Sequence, residues 1–217
     1  MANTDLVLTW FHTLVEATAN VAFALSGLLA GVRKRLDVVG LCVVTGLAAF
    51  GGGTLRDVLL DRRPFFWVAQ PTWLWILIGL AIAAILFLRA GHFEFTEKAI
   101  QWPDALGLGL FTASGTQLAL AQDLPAIVAV LMGVVSATAG GVMRDVVCNE
   151  IPTALRDHRP YAVCAFLGGW AYVLAVHSAL PPGLAFIVAA VVATGLRAWA
   201  LVTGYQLPAG RSAAPGD

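Results

Sequence analysis

Gly52-Gly53-Thr54-Leu55-Arg56-Asp57-Val58 returns eighty-eight positions later as Gly140-Gly141-Val142-Met143-Arg144-Asp145-Val146, and this recurrence decides the fold. Without a gap, the same offset lays Phe23 on Phe111, Ser26 on Ser114, Gly27 on Gly115, Ala49 on Ala137 and Pro64 on Pro152. It also lays Glu16 on Asp104, two acids near the start of their apolar stretches. A set of matches in one register marks a duplicated chain.

What surrounds the two copies is apolar. The 217 residues are 59% hydrophobic and 12% charged, with a mean hydropathy of +0.81. A soluble domain is about a quarter charged and under half apolar, so this chain could not cover a surface that faces water. A soluble enzyme and a secreted disulfide scaffold are excluded, and the balance of 13 basic against 13 acidic residues excludes a nucleic-acid binder. A transmembrane barrel would alternate polar and apolar over ~10-residue segments. These runs are continuous, and the 22 glycines suit membrane helices. The chain reads as an all-α, polytopic membrane protein.

A hydrocarbon core of ~30 Å takes about 20 residues at 1.5 Å each. Seven stretches qualify as transmembrane helices, roughly 11–31, 38–60, 73–88, 103–120, 125–148, 161–176 and 183–205. Their connections are short, so residues 1–217 form a single membrane domain. The segment 207–217, rich in Ala, Gly and Pro, is expected to be a disordered tail. Each repeat holds three spans, about 11–88 and 103–176, and three is odd. The second copy must therefore enter the membrane from the opposite side, giving an inverted 3+3 repeat with a seventh helix at 183–205. Inverted repeats are common in transporters and occur in some channels, with a pathway at the repeat interface.

The first span is no cleaved signal peptide, because Asp5 and no basic residue precedes it. Basic residues sort by side. Arg33, Lys34, Arg35, Arg89, Lys98, Arg144, Arg156, Arg159 and Arg211 fall on one side, and Arg56, Arg62 and Arg63 on the other. The larger set predicts a cytoplasmic C-terminus and an external N-terminus. Trp10, Trp67, Trp73, Trp75 and Trp102 lie at span ends, as interfacial aromatics do, and mid-span Trp170 reads as core packing. Cys42, Cys148 and Cys164 read as small buried hydrophobes. His12, His92, His158 and His177 show no ligand spacing and read as interfacial. Neither a resident metal nor a cofactor is expected. With no zinc-type His spacing, no Gly-x-Ser-x-Gly element and no His near Ser26 or Ser114, an intramembrane enzyme is not expected either.

Gly51-Gly52-Gly53 and Gly140-Gly141 sit just past the middle of spans two and five. Each glycine costs ~1 kcal/mol against alanine in a helix, so the spacing predicts a kink or local unwinding that frees backbone carbonyls. Freed carbonyls can replace part of a cation's hydration shell. One turn on stand Arg56-Asp57 and Arg144-Asp145. A charge at membrane depth costs ~2.5–3.5 kcal/mol, and an arginine cannot shed its proton. Pairing of Arg56 with Asp145, or Arg144 with Asp57, is one way to neutralise them; local or water-mediated pairing is the other. Thr13, Glu16, Asn20 and Gly27 share a face of span one that should turn inward, with Ser26 beside it. Span four keeps Asp104, Thr112 and Ser114, but Leu108 replaces the amide. Arg197, near the cytoplasmic end of span seven, can snorkel outward and carries no assigned role.

Phe23-Ala24-Leu25-Ser26-Gly27, Arg33-Lys34-Arg35-Leu36-Asp37, and Gly51-Gly52-Gly53-Thr54-Leu55-Arg56-Asp57 followed by Pro64 and Trp67 resemble the first repeat of the prokaryotic trimeric intracellular cation (TRIC) channels. Gly140-Gly141-Val142-Met143-Arg144-Asp145 with Glu150-Ile151-Pro152 resembles the second. The resemblance covers about 10–205 and implies a homotrimer in a prokaryotic plasma (inner) membrane, among membrane lipids. Each protomer would hold its own pore for potassium, with sodium a further candidate ion. It implies bends at Gly51, Gly52, Gly53, Gly140 and Gly141, and Arg56, Asp57, Arg144 and Asp145 beside the path. The second motif, Ala139-Gly140-Gly141, is one glycine short of the first, which implies a stiffer bend in span five.

Two mechanisms fit these residues. In a channel, Asp57, Asp145 and Glu16 draw cations, while Arg56 and Arg144 oppose anions and act as movable plugs. In a secondary transporter of a small zwitterion such as glycine, an Arg takes the carboxylate and an acid takes the ammonium. Ser26 and Ser114 read as polar groups along the pathway or as packing residues.

Overall fold

The computed structural model describes residues 2–88, 97–156 and 160–206. Expectations for Arg89, His92, His158, Arg159, Arg211 and the tail lie outside them, as do those for the side chains of Trp10, His12, Thr13, Lys98 and Arg156. The described residues form nine helices and no strand: α1 (Ala2–Arg33), α2 (Val38–Leu59), α3 (Phe66–Ala69), α4 (Thr72–Leu88), α5 (Glu97–Leu120), α6 (Ala126–Val147), α7 (Thr153–Arg156), α8 (Ala162–His177) and α9 (Pro182–Thr203). Seven of them run for 16 residues or more. Segments of α1, α2, α6 and α9 combine the length and apolarity needed to cross a membrane, whereas α8 and the Thr72–Ala83 part of α4 are apolar but shorter.

Two helices overrun their apolar stretches. α1 starts nine residues before 11, and α5 starts at Glu97 rather than at Pro103, which lies inside it. Proline removes one backbone donor and strains one turn. The good helix formers Glu97, Lys98, Ala99 and Gln101 extend the helix on the other side of it. The four-residue α3 and α7 lie where only connections between spans were expected.

Helix ends are built alike. Asp37 caps α2, its carboxylate accepting from the Gly40 amide at 2.8 Å. Pro182 occupies the first turn of α9, where its missing N–H costs nothing. Arg35, Asp61, Asp123, Asn149 and Ala179 each take a left-handed conformation just past a helix end. In each case the next amide returns to the carbonyl five residues back, as in Leu36 to Gly31 and Leu124 to Ala119. Arg35 and Asp123, like Asp61 and Asn149, stand 88 positions apart.

The packing repeats at the same offset. α1 packs on α2 as α5 packs on α6, and α2 on α4 as α6 on α8. α1 meets α5 and α2 meets α6 at the centre, while α9 lies against α5 and α8. Phe23 and Phe111, matched by the repeat, stack with centroids 5.5 Å apart. Polarity is turned inside out relative to a soluble protein. Asn20, Ser26, Arg56, Asp57, Asp104, Arg144, Asp145 and Arg197 are buried, and Leu14, Trp75, Leu155, Val191 and Val202 are exposed. Only an apolar solvent makes that arrangement favourable.

Candidate functional site at the crossing of α2 and α6

The glycine motifs do not interrupt their helices. α2 is continuous through Gly51, Gly52 and Gly53, and α6 through Gly140 and Gly141. The expected unwinding with its freed carbonyls is therefore corrected. A Cβ on Gly52 would be driven into the carbonyl oxygen of Ser136, and one on Gly140 into that of Ala48. These two contacts are images of each other at offset 88. Glycine here lets two backbones touch, which aims Cα–H groups at carbonyls. Gly141 serves a third purpose: its missing side chain leaves room for Tyr161, Asp104 and Arg144, whose polar atoms lie 3.2–3.8 Å from where a Cβ would be.

One turn past each crossing a buried guanidinium folds back on the acid that follows it. Adjacent helical residues do not normally face each other. Arg56 Nε nonetheless donates to Asp57 Oδ1 at 2.9 Å, and Arg144 Nε to Asp145 Oδ1 at 2.7 Å. Arg56 and Arg144 keep 1% and 2% of their side-chain surface exposed. Each arginine then reaches the other repeat through a serine: Arg56 NH1 donates to Ser114 Oγ at 3.1 Å, and Arg144 NH1 to Ser26 Oγ. Neutralisation is thus local. The cross pairs Arg56–Asp145 and Arg144–Asp57 do not occur among the ion pairs of the described residues. At ~1.5 Å per residue the two motifs lie too far past their crossing, in opposite directions, to exchange partners.

The acids at matched positions complete the two sites. Glu16 Oε1 lies 3.6 Å from Arg56 NH2 and keeps 31% of its side chain exposed. Asp104 Oδ1 accepts from Arg144 NH1 at 2.6 Å, and its Oδ2 accepts from the Tyr161 hydroxyl at 2.6 Å. Asp145 Oδ2 accepts from the amide and hydroxyl of Thr153 at 2.9 and 3.2 Å. Asn20, Ser26 and Gly27 are buried, so most of the polar face of α1 does turn inward. Tyr161 and Thr153 were not singled out from sequence, whereas Asp104 was read as the match of Glu16 and as one of the polar residues kept by span four.

Arg197 does not snorkel. Its side chain is 1% exposed, its guanidinium sits 4.9 Å from the centre of the Tyr161 ring, and NH1 donates to the Pro160 carbonyl at 3.4 Å. Beyond the Arg144 site, Glu150 meets Arg33 and Lys34, both at 2.7 Å, tying the end of α6 to the end of α1. Partial burial opposes ionisation of Glu150. The hydrogen bond from Lys34 and the charges of Arg33 and Lys34 outweigh it, and hold the carboxyl below its ordinary range. A polar cavity of about 30 Å³ lies between this bridge and Arg144. Among the described residues, no three His, Cys, Asp or Glu side chains converge as metal ligands.

A sequence model of the family described as "Glycine transporter" matches the chain twice, over residues 13–89 and 101–177. The two matches are again 88 positions apart. The UPF0126 inner membrane protein YadS of Escherichia coli K12 is 32% identical over 195 residues, which is 89% of this chain and 93% of that protein. A UPF0126 membrane protein of Vibrio cholerae is 34% identical over 161 residues, 72% of this chain but 64% of its own length. Among solved structures, the TRIC trimeric intracellular cation channel orthologue from Rhodobacter sphaeroides is 33% identical with a TM-score of 0.81, covering 89% of this chain and 98% of that one. A further TRIC cation channel, solved in a study of conductance, is 31% identical with a TM-score of 0.82 over 93% of this chain and 98% of its own.

Proposed function

Because this chain belongs to the family of the prokaryotic TRIC cation channels and the UPF0126 inner membrane proteins, we propose that it is a potassium-conducting channel of the prokaryotic inner membrane. Its pore would run within each protomer of a homotrimer, lined by α2 and α6 beside their crossing. Three helices of each repeat, α1, α2, α4 and α5, α6, α8, would cross the membrane in opposite senses, and α9 would make the seventh span. The repeated contacts at offset 88 support that inversion, and the distribution of basic residues supports an external N-terminus.

The observation that carries the reading is the pair of buried Arg–Asp sites, one on either side of a glycine crossing and each bound to a serine of the other repeat. Charges at membrane depth are retained where they serve transport. Glu16, Asp57 and Asp145 attract cations; Arg56 and Arg144 repel anions and constrict the path, which opens when an arginine moves aside. An arginine crossing the whole field at 100 mV gains ~2.3 kcal/mol, enough to make opening voltage-dependent. Apolar clefts of about 460 and 430 Å³ on the outer surface suit the acyl chains of membrane lipids.

Planar-bilayer recording in asymmetric potassium chloride tests the proposal. Unitary currents that reverse near the potassium potential are expected, and Arg56→Gln or Arg144→Gln should raise open probability; no cation-selective unitary current would overturn it. The description of the family model favours a second reading, uptake of a zwitterion such as glycine. Weighing against it, each arginine is already paired with acids of its own site, Arg56 with Asp57 and Glu16 and Arg144 with Asp145 and Asp104. Saturable glycine counterflow in proteoliposomes without unitary currents would reverse that judgement.

A further inference from the structure

The two arginine sites occupy matched positions but are not equally held. Around Arg144 every acceptor is itself braced. Asp104 keeps 4% of its side chain exposed and takes the Tyr161 hydroxyl on its second oxygen, and Asp145 takes two bonds from Thr153. Behind Tyr161 lies the guanidinium of Arg197. Around Arg56 each of these supports is missing or weaker. Asp104 is matched by Glu16, which is 31% exposed and 3.6 Å away. Tyr161 is matched by Trp73, whose indole donates to Gln70, and Thr153 by Phe65, which has no hydroxyl. Asp57 has instead the largely exposed Arg62 at 3.7 Å. Arg197 has no match, because α9 lies outside both repeats.

Resting on the channel reading above, we propose that the pathway has one fixed and one moving constriction. Arg144 is the fixed one, braced through Asp104 and Tyr161 by Arg197 of the unrepeated helix, and Arg56 is the one that swings aside. Arg197 is a positioning residue. It acts by holding the Tyr161 ring, whose hydroxyl orients Asp104 against Arg144. An ion pair with one exposed, distant partner yields more readily than one whose acids are buried and fully hydrogen-bonded. The seventh helix thereby turns a near-symmetric pair of barriers into unequal ones.

Thiol modification tests this without relying on current. In a background with Cys42, Cys148 and Cys164 replaced by alanine, Ser114→Cys reports on the Arg56 site and Ser26→Cys on the Arg144 site. A methanethiosulfonate ethylammonium reagent is applied to both faces of proteoliposomes holding the full chain. The expected result is at least tenfold faster reaction at Ser114→Cys. Adding Tyr161→Phe or Arg197→Met should raise the rate at Ser26→Cys about tenfold and leave that at Ser114→Cys within twofold. Arg197→Lys, which keeps the charge and loses the planar stack, should fall between. Tyr161→Phe removes one oxygen and keeps the ring, so the test survives if Arg197→Met does not fold. Equal or faster reaction at Ser26→Cys, or a rate there that neither variant moves, overturns the proposal. Potassium flux from the same vesicles judges the channel reading separately: unequal rates without flux would sink the channel and leave the inequality standing.

Discussion

At the scale of single residues, glycine is where sequence and structure part. A Gly-Gly pair inside an apolar helix is compatible with a bend or with close packing, and the chain alone does not choose between them. The partner chooses: carbonyls of Ser136 and Ala48 occupy the space of a Cβ at Gly52 and Gly140. Gly52→Ala and Gly140→Ala should each cost about 1–3 kcal/mol, because two backbones must separate. Gly79, with nothing within 4 Å of its missing Cβ, is the control, and alanine there should be neutral or stabilising by up to ~1 kcal/mol. Thermal unfolding in detergent measures both; a Gly52→Ala midpoint equal to that of Gly79→Ala would refute the close crossing. The arginines and their acids were legible because charge at membrane depth is costly and occurs twice in register. Tyr161 and Thr153 were not, since a tyrosine at a span end and a threonine in a connection acquire meaning only when α8 and α7 bring them against Asp104 and Asp145.

At the scale of elements, apolar runs located the long helices to within two residues at their ends, except for the starts of α1 and α5. Five helices close with a left-handed residue that is Arg, Asp, Asp, Asn or Ala. Among the described residues the usual signal, a left-handed glycine, stands only at Gly204 after α9. At the start of α2, Asp37 provides the cap by accepting from the Gly40 amide. Asp37→Ala should lower stability by ~1 kcal/mol, whereas Asp37→Ser should restore most of it. A melting temperature unchanged in Asp37→Ala would show that the cap contributes nothing. Arg197 illustrates the opposite failure. An arginine two turns from a helix end can reach water, and nothing in α9 itself reveals that Tyr161 lies across its way.

At the scale of the molecule, the bridge from Arg33 and Lys34 to Glu150 joins the end of α1 in one repeat to the end of α6 in the other. The Glu150 carboxyl is held below its ordinary range, so its stabilising contribution is complete above the unfolded pKa of ~4.3 and is lost as pH falls through the folded value. The difference in melting temperature between wild type and Glu150→Gln should therefore be constant from pH 8 to pH 5 and shrink only in stronger acid. A bridge this exposed is worth at most about 1 kcal/mol. A difference that instead grew on acidification would contradict the assignment. The duplication was readable because one offset relates the two repeats throughout, and the same offset governs turns, ion pairs and ring stacking. It has a hereditary consequence at Phe23 and Phe111, two descendants of one codon now pressed face to face. Neither can drift without leaving its twin mismatched, so among relatives the two positions should change together. Away from the central contact each half is free to diverge, as Thr153 has from Phe65 beyond the ends of α6 and α2. Ancestry is thus best preserved where the copies touch.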